Sequence, residues 1–334
     1  MRIQTTYPIV GISACYPEDK IDSVDLDFSD SKERDLFIKK MGIRSKRTSH
    51  GNYTVKDLGV KAIDHLLLHL NWKREEIDLL ISVTQSPDYH VPGNSRLYQS
   101  ALGLSEDCQF FDINDGCNGF IQGLQVALAY GQVSHASKII LVTGDTNILT
   151  DKSRTESYYL MGDAVCATAL EKSSEIYDYL FSSKHFGTEY QAIYSKLSGA
   201  RVIAQEKITS LSPLIFMDGL HIQSFISKNV IPQIERFEKL TSQDCLYRFV
   251  HQPNLMYFRY IVKKMDWNED FCPNVLEDFG NISSASIPLT ILRSVKKVRQ
   301  HPKISCYSFG VGLTFAAVQC QLDKLRVTIE SAYP

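Results

Sequence analysis

Cys117, His251 and Asn281 are the residues of this sequence whose types and positions could together carry out chemistry on an acyl group. Cys117 lies in a predicted turn, after an apolar run that ends at Asp112 and before a helical pattern that starts at Phe120. There the unpaired backbone N–H groups and the positive end of the helix dipole favour the nucleophilic thiolate. A neutral His251 and Asn281 could both donate hydrogen bonds to one carbonyl oxygen. Such a pair would stabilise an enolate as carbon dioxide leaves.

Each of these residues also has a purely structural interpretation. Cys117 is one of eight cysteines and could be a small buried hydrophobic residue. His251 alone fits a hydrogen-bonded histidine at a strand end, and Asn281 after a glycine fits a turn or a helix cap. Residue types alone therefore leave catalysis and structure both open.

The apolar patterns around these residues predict an α/β fold. Residues 77–83 and 138–144 are apolar runs typical of buried strands, whereas residues 54–70 repeat apolar side chains at helical spacing. A further strand, 246–250, leads directly into His251. Alternating strands and helices imply a parallel sheet with helical cover, and ligands bind beyond the strand ends of such sheets.

The second half of the chain gives less regular patterns. Apolar residues recur on one face of residues 216–240, which predicts a helix with a kink or a break at Pro232. A helix is also predicted to follow Asn281 and to end near Val298. Residues 303–309 and 313–320 are predicted as two strands joined by a tight turn.

Composition and charge exclude several functional classes. The 334 residues carry a formal net charge of −2, with 44% hydrophobic and 22% charged residues, so neither a nucleic acid nor a membrane is expected as a partner. The first residues lack a signal-peptide pattern and no apolar run is long enough to span a bilayer, which predicts a cytoplasmic protein. The cysteines form no Cys-x-x-Cys pair or ligand spacing, so no metal is expected.

Short motifs around the candidate residues occur in a distinctive order. They are Asp115–Phe120, Met161–Ala164, His251–Asn254, Gly280–Pro288 and Ser308–Thr314. In order and spacing this set resembles the β-ketoacyl-acyl carrier protein synthase III family of thiolase-fold condensing enzymes. Each motif alone is weak, but the set spans nearly the whole chain and is specific.

The resemblance implies a fold, an assembly and a class of substrates. The fold is α/β and thiolase-like, with two duplicated βαβαβ-type halves in a five-layered α-β-α-β-α arrangement. The half at residues 1–172 carries the nucleophilic cysteine, and the half at residues 173–334 carries the histidine and the asparagine. The implied assembly is a homodimer. The implied substrates are acyl-CoA or phosphopantetheinyl carrier-protein thioesters, with acyl carrier protein as a partner and no permanently bound cofactor.

The resemblance also implies a reaction in fatty-acid or polyketide-type biosynthesis. Cys117 takes an acyl group from a thioester, and His251 and Asn281 stabilise the enolate formed when a malonyl thioester loses carbon dioxide. That enolate attacks the acyl-cysteine. The backbone N–H groups of Cys117 and Val311 match the oxyanion hole, where one donor contributes about 3 to 4 kcal/mol to catalysis. Val311 replaces a glycine common in the family, so its turn must hold it at an ordinary φ or be strained.

The positions expected to bind the substrate arm match the family less closely. Leu36, with Phe37 beside it, replaces the tryptophan that often stacks on the adenine of coenzyme A. Lys40 belongs to the same predicted entrance, and Arg154 matches a family arginine only approximately. These departures favour a carrier-protein donor over coenzyme A.

The acyl pocket is predicted from two further matches. Val91 occupies the position from which the family reaches across the dimer into the partner's acyl pocket, and Phe120 is the last residue of the nucleophile motif. Because valine is a modest side chain, the pocket would accept acyl groups larger than acetyl.

Two other functions are compatible with the same fold. The acyl-cysteine could transfer its acyl group to an oxygen or nitrogen acceptor, or the chain could be a non-catalytic partner of an active enzyme. The His251 and Asn281 pair favours condensation, and the retained cysteine argues against an inactive subunit. Residues 84–92 contain no glutamate, unlike hydroxymethylglutaryl-CoA synthases and head-to-head condensing enzymes.

Overall fold

The fold of the chain is built from two mixed β-sheets and the helices that separate and cover them. The computed structural model describes residues 1–146, 156–195, 215–241 and 245–334. The strands are β1 (Arg2–Thr5), β2 (Ile9–Pro17), β3 (Lys20–Asp22), β4 (Ser45–Arg47), β5 (Leu79–Val83), β6 (Gln109–Ile113), β7 (Lys138–Asp145), β8 (Ala164–Glu171), β9 (Tyr177–His185), β10 (Ile193–Ser195), β11 (Ile215–Met217), β12 (Tyr247–Val250), β13 (Lys303–Gly310), β14 (Thr314–Gln321) and β15 (Val327–Tyr333). The α-helices are α1 (Ser31–Met41), α2 (Val55–Leu70), α3 (Asn94–Leu102), α4 (Gly119–Ser134), α5 (Glu156–Leu160), α6 (Gly219–Phe225), α7 (Ile231–Glu238), α8 (Leu255–Lys264), α9 (Leu276–Phe279), α10 (Ser286–Arg293) and α11 (Val295–Gln300).

The two large sheets combine parallel and antiparallel strands. The first has the order β15-β2-β8-β7-β5-β6, and the second has the order β1-β9-β14-β13-β12. Strands β6, β5 and β7 are parallel, as are β12 and β13, whereas β8 pairs antiparallel with both β2 and β7. The expected parallel pairing therefore holds for the strands that precede the candidate residues, while each sheet as a whole is mixed.

Both terminal strands cross between the halves of the chain. Strand β1 pairs with β9 in the second sheet, and β15 pairs with β2 in the first. The division of the chain into two halves between residues 172 and 173 stays a prediction. In the structure, each half contributes one terminal strand to the sheet of the other half.

Helices α4 and α10 form the layer between the two sheets. Helix α4 packs on β5 and β7 of the first sheet and on β1 and β14 of the second, and α10 contacts β2 and β12. Helix α2 covers the outer face of the first sheet, and α7 packs on the outer face of the second. The five-layered arrangement predicted from the resemblance is confirmed.

Glycine allows α4 to pack directly on the first sheet. A Cβ on Gly123 would lie 2.7 Å from Leu141 Cδ1 and 2.9 Å from Val83 Cγ2, which is closer than such atoms approach. The helix axis is therefore close to the sheet. The N-terminal end of α4 meets the carboxyl end of β5, where a Cβ on Gly119 would lie 2.7 Å from Val83 Cγ1. This contact positions the turn that contains Cys117.

The predicted helix over residues 216–240 is interrupted before Pro232 rather than at it. Its first residues belong to β11, and α6 is followed by a π-helical turn, Ile226–Val230, that leads into α7. Pro232 lies in the first turn of α7, where a missing N–H is tolerated. The helix predicted to end near Val298 is likewise divided at Ser294.

Within the described parts of the chain, the structure has no helix that combines the length and the apolar character needed to cross a bilayer. The same parts hold no group of three or more histidine, cysteine or acidic side chains placed to bind a metal ion.

Candidate active site

Cys117 lies where the two halves of the chain meet. It follows β6 and precedes Gly119, the first residue of α4. The turn between β13 and β14 covers it closely, since a Cβ on Gly310 would be only 2.7 Å from Cys117 Sγ. The backbone N–H groups of Val311 and Cys117 interact with the sulfur and lower the pKa of the thiol. Val311 has an ordinary φ, as its side chain requires, and Gly312 takes the left-handed conformation with φ 127°.

The thiol of Cys117 is neutral at rest. Burial is the main cause that raises the pKa of Cys117, and the carboxylates of Asp115 and Asp145 add to it. Against the opposing effect of the two N–H groups, the resulting pKa is about 12. The expectation that a helix N-terminus would favour the thiolate is therefore wrong, because desolvation of a charged sulfur outweighs the backbone dipoles. Burial also raises the pKa of Asp115, to about 6, and that of Asp145.

His251 follows β12 and is completely buried. Its backbone N–H donates to Tyr307 O at 2.8 Å, and its Nδ1 lies 2.9 Å from Ser286 Oγ. The Nε2 atom has no hydrogen-bond partner among the described residues. Burial lowers the pKa of His251 to about 3, so the imidazole is neutral near pH 7. One of its ring nitrogens donates a hydrogen bond and the other accepts one.

The amide of Asn281 has a fixed orientation. Its Oδ1 accepts a hydrogen bond of 3.0 Å from the backbone N–H of Ser283. Its backbone N–H donates to Leu160 O at 2.8 Å, and its carbonyl accepts from the N–H of Gly162 at 3.0 Å. Because Oδ1 is occupied, Nδ2 is the end available to a ligand, and an amide NH₂ group only donates.

Two glycines allow the segment before Asn281 to approach the segment after α5. Gly280 has φ 66°, and a Cβ on it would lie 2.6 Å from Leu160 O. A Cβ on Gly162 would lie 2.0 Å from Phe279 O. Neither position has room for a side chain. Glycines in both motifs are therefore needed to hold Asn281 in place.

A cavity of about 850 Å³ borders Cys117, His251 and Asn281 together. Of the other predicted site residues, it is also lined by Leu36, Phe37, Lys40 and Val311. Its remaining walls are mainly aromatic and aliphatic and include Phe28, Tyr159, Ile193, Tyr194, Met217 and Tyr257. One cavity thus joins the candidate nucleophile to the candidate entrance.

Two of the described predicted site residues, Phe120 and Val91, do not line this cavity. Phe120 is 1% exposed and packs in the core between the sheets, because it points inward from the first turn of α4. Val91 is 86% exposed in the loop between β5 and α3 and does not line the cavity. Arg154 lies outside the described residues.

Sequence reasoning missed an aromatic cluster at the entrance. Phe28 stacks on Tyr159 with ring centroids 5.0 Å apart, and it lies 5.2 Å from the ring of Phe37. Tyr159 lies two residues before the Met161–Ala164 motif, so its place in the sequence was a usable signal. Phe28 carried no such signal.

Comparison with known proteins assigns the family. The sequence model of 3-oxoacyl-(acyl-carrier-protein) synthase III matches residues 111–189, and that of the C-terminal part of the same enzyme matches residues 236–322. A β-ketoacyl-(acyl-carrier-protein) synthase III of Clostridium tetani is 30% identical over 294 residues, which cover 83% of this chain and 87% of the relative. The chain belongs to the 3-oxoacyl-(acyl-carrier-protein) synthase III family. It is accordingly an acyltransferase of the condensing type.

Solved structures agree with this assignment. A 3-oxoacyl-(acyl-carrier protein) synthase of Burkholderia xenovorans superposes with a TM-score of 0.92 at 26% identity, and the match covers 100% of this chain and 99% of that one. A priming β-ketosynthase of a polyketide pathway has a TM-score of 0.83 and covers 96% and 98%. At 22% identity this second likeness shows the thiolase-like fold alone.

Proposed function

We propose that the protein loads an acyl group from a thioester onto Cys117 and then condenses it with a malonyl thioester, with loss of carbon dioxide. The observation that carries this proposal is that Cys117, His251 and Asn281 border one cavity. Family membership supports the reaction class. The products would be the β-ketoacyl thioesters of fatty-acid or polyketide-type biosynthesis.

In the first half-reaction the sulfur of Cys117 attacks the thioester carbonyl carbon. A bond forms between that carbon and the sulfur, the bond to the carrier sulfur breaks, and the thiol proton ends on the departing thiol. Because the pKa of Cys117 is about 12, the proton leaves during the attack rather than before it. The N–H groups of Val311 and Cys117 are suited to stabilise the oxyanion that develops beside the sulfur.

In the second half-reaction Asn281 and His251 stabilise the enolate. When the malonyl thioester loses carbon dioxide, negative charge develops on the thioester oxygen, and Asn281 Nδ2 and His251 Nε2 donate hydrogen bonds to it. The enolate carbon then attacks the acyl carbon. A carbon–carbon bond forms, the bond to Cys117 breaks, and the sulfur regains a proton. A His251 that burial keeps neutral suits this role, because it binds the oxygen without protonating it.

The entrance supports a carrier-protein thioester as the acyl donor. The cavity between Leu36 and Cys117 is mainly apolar, which suits the aliphatic part of a phosphopantetheine arm. Lys40 supplies a cation at the mouth for the phosphate of that arm. Because Leu36 stands in place of a tryptophan, the adenine of coenzyme A would have no indole ring to stack on at this position. We propose no permanently bound cofactor.

The edge of the first sheet supports a homodimer. Strand β6 has no strand neighbour on its outer side in the described part of the chain. The neighbouring loop exposes Tyr89 and Val91, at 60% and 86%. An unpaired edge strand beside exposed apolar side chains is typical of an interface. In this homodimer Val91 would enter the partner's acyl pocket. We place the homodimer in the cytoplasm, together with its carrier-protein substrates.

Intact-protein mass spectrometry with acyl thioesters of graded chain length tests the proposal. The natural protein and Cys117→Ala are compared with Cys272→Ala, which removes another free, buried cysteine far along the chain. We expect an acyl adduct on the natural protein and on Cys272→Ala, and none on Cys117→Ala. Malonyl-carrier protein should then lose carbon dioxide only when it is mixed with the acylated forms.

Other outcomes would favour the two competing functions. Movement of the acyl group to a hydroxyl or amine acceptor, with malonyl thioester left intact, would indicate plain acyl transfer. If no thioester gave an adduct on Cys117, the chain would be a non-catalytic partner subunit.

A further inference from the structure

The hydroxyl of Ser286 lies between two groups that can accept its hydrogen. Ser286 Oγ is 2.9 Å from His251 Nδ1 and 2.9 Å from the carbonyl oxygen of Ser283. A serine hydroxyl has one hydrogen, so it donates to only one of them. If it donates to Nδ1, the ring hydrogen of the neutral imidazole is on Nε2. If it donates to the carbonyl, Nδ1 carries the hydrogen and Nε2 is bare.

The Ser283 carbonyl is paired without this hydroxyl. It already accepts the backbone N–H of Ser286 in the 3₁₀ turn that precedes α10. If the hydroxyl hydrogen goes to His251, the buried Ser283 carbonyl therefore still has a hydrogen-bond partner and pays no penalty for being unpaired. An imidazole nitrogen is also more basic than a peptide oxygen, which favours Nδ1 as the acceptor.

Only one of the two arrangements suits a substrate oxygen in the cavity. His251 lines the cavity, and its Nε2 is the ring nitrogen that has no hydrogen-bond partner among the described residues. A thioester or enolate oxygen offers lone pairs alone, so a bare Nε2 would repel it. A protonated Nε2 would bind it next to the NH₂ group of Asn281.

We propose that Ser286 is a positioning residue that donates its hydroxyl hydrogen to His251 Nδ1 and thereby holds the imidazole in the Nε2–H form. The inference rests on the proposed function, in which Nε2 donates to the enolate oxygen. Ser286 is 1% exposed and does not border the cavity, so it acts through His251 and not on the substrate.

A second set of hydrogen bonds keeps Ser286 at this distance. Gln252, the neighbour of His251, donates from Nε2 to Thr290 Oγ1 at 2.9 Å, and Thr290 Oγ1 donates to Ser286 O at 2.6 Å. Gln252 Oε1 in turn accepts the N–H of Val275 at 2.9 Å. The first turn of α10 and the histidine segment are therefore tied together by buried bonds.

The experiment compares Ser286→Ala with Ser286→Thr, which retains a hydroxyl. Ser284→Ala is the matched control, because Ser284 Oγ is buried nearby and has no hydrogen-bond partner among the described residues. Three quantities are measured: the ¹⁵N chemical shifts of the His251 ring, the rate of Cys117 acylation, and the condensation rate of the pre-acylated protein. The chain has nine histidines, so the His251 signals are assigned by their loss in His251→Gln.

In the natural protein we expect the hydrogen on Nε2. Ser286→Ala should give a mixture of both ring forms and a condensation rate roughly tenfold lower, as for the loss of a strong buried hydrogen bond. Its acylation rate should change little, since Cys117 is acylated through backbone donors. Ser286→Thr should restore the ring form and most of the condensation rate, and Ser284→Ala should resemble the natural protein.

A hydrogen on Nδ1 in the natural protein would overturn the proposal, because the hydroxyl would then serve the Ser283 carbonyl. Equal losses of acylation and condensation in Ser286→Ala, with an unchanged ring form, would also overturn it and indicate a scaffolding role. If Ser286→Ala does not fold, the ¹⁵N chemical shifts of His251 in the natural protein and in Ser286→Thr still test which ring nitrogen carries the hydrogen. Failure of the proposed function itself would appear separately, as absence of any acyl adduct on natural Cys117.

Discussion

Among single residues, Cys117 and His251 border the same cavity as neutral groups. Burial raises the pKa of the thiol to about 12 and lowers that of the imidazole to about 3. A cysteine hydrolase needs the opposite, a thiolate and imidazolium pair formed by proton transfer. With its proton affinity suppressed, His251 is suited to donate a hydrogen bond. Reaction of Cys117 would depend on the nearby backbone N–H groups that we propose as oxyanion donors.

Removal of the Asp115 charge should make Cys117 more reactive. The Asp115 carboxylate raises the pKa of the thiol, so Asp115→Asn should lower that pKa and increase alkylation by iodoacetamide at about pH 8, by roughly two- to tenfold. The pKa of Asp115 is itself about 6, which means that the carboxyl is mostly neutral below that pH. The two proteins should therefore react alike at about pH 5 and diverge as the pH rises. A constant ratio across this range would contradict the electrostatic explanation.

Variants of His251 and Asn281 should separate the two half-reactions. In His251→Ala and Asn281→Ala, Cys117 keeps its backbone donors, so mass spectrometry should still detect acylation. Condensation loses one preorganised donor to the enolate oxygen and should fall on the order of 100- to 1000-fold, measured as carbon dioxide release from malonyl thioester. Equal loss of acylation and condensation in both variants would contradict the assigned roles.

Among the structural elements, the turn between β13 and β14 sets the geometry around the nucleophile. Gly310→Ala would place a Cβ 2.7 Å from Cys117 Sγ and 2.6 Å from Cys117 Cβ. The turn or the cysteine must then move. We expect acylation to be largely lost, and the free energy of unfolding to fall by about 1 to 3 kcal/mol, as for other overpacked sites. Acylation is measured by mass spectrometry and stability by urea unfolding.

Gly187→Ala is the matched control for this substitution. A Cβ at Gly187 would meet nothing within 4 Å, and Gly187 has no positive φ. The control should keep both stability and acylation. Equal acylation rates in Gly310→Ala and Gly187→Ala would contradict this prediction. They would show that the close contact between Gly310 and Cys117 does not position the thiol.

The elements that sequence predicted well are those defined by local signals. Helix α2 begins after Thr54, whose backbone N–H donates to Asp57 Oδ2 at 3.0 Å, as expected for a capping box. The strand, turn and helix around Cys117 were also predicted, because the apolar run, the glycines and the helical spacing are all continuous in sequence. The π-helical turn before Pro232 was missed, since no single-sequence pattern distinguishes it from an α-helix. The thiol pKa was predicted in the wrong direction, because it depends on burial by residues distant in the chain.

In the whole molecule, the site exists only where the two halves meet. Cys117 comes from the first half, and His251 and Asn281 come from the second, while β1 and β15 each join the sheet of the other half. Sequence placed each of the three residues at the end of a strand or the start of a helix. It could not bring them together, because strand order across two sheets is a non-local property. The resemblance to a family supplied that order, and the cavity around the three residues agrees with it.

The proposed homodimer predicts that Val91 limits the length of the acyl group. Val91 is 86% exposed in the protomer, so a larger side chain there has room in the monomer and meets a wall only in the partner's acyl pocket. Val91→Trp should therefore fold normally, remain dimeric by sedimentation, and shift acylation of Cys117 towards shorter thioesters. Each methylene group excluded from the pocket should lower the relative rate roughly fourfold, since its burial contributes about 0.8 kcal/mol.

Leu68→Trp is the control for Val91→Trp, because Leu68 is 72% exposed on α2, the helix that covers the outer face of the first sheet. It adds the same aromatic surface far from the edge strand and should leave the chain-length profile unchanged. An identical profile in both variants would show that the loop of Val91 does not reach a partner's pocket. In that case the acyl group would have to lie within the cavity of a single protomer, among the aromatic side chains that line it.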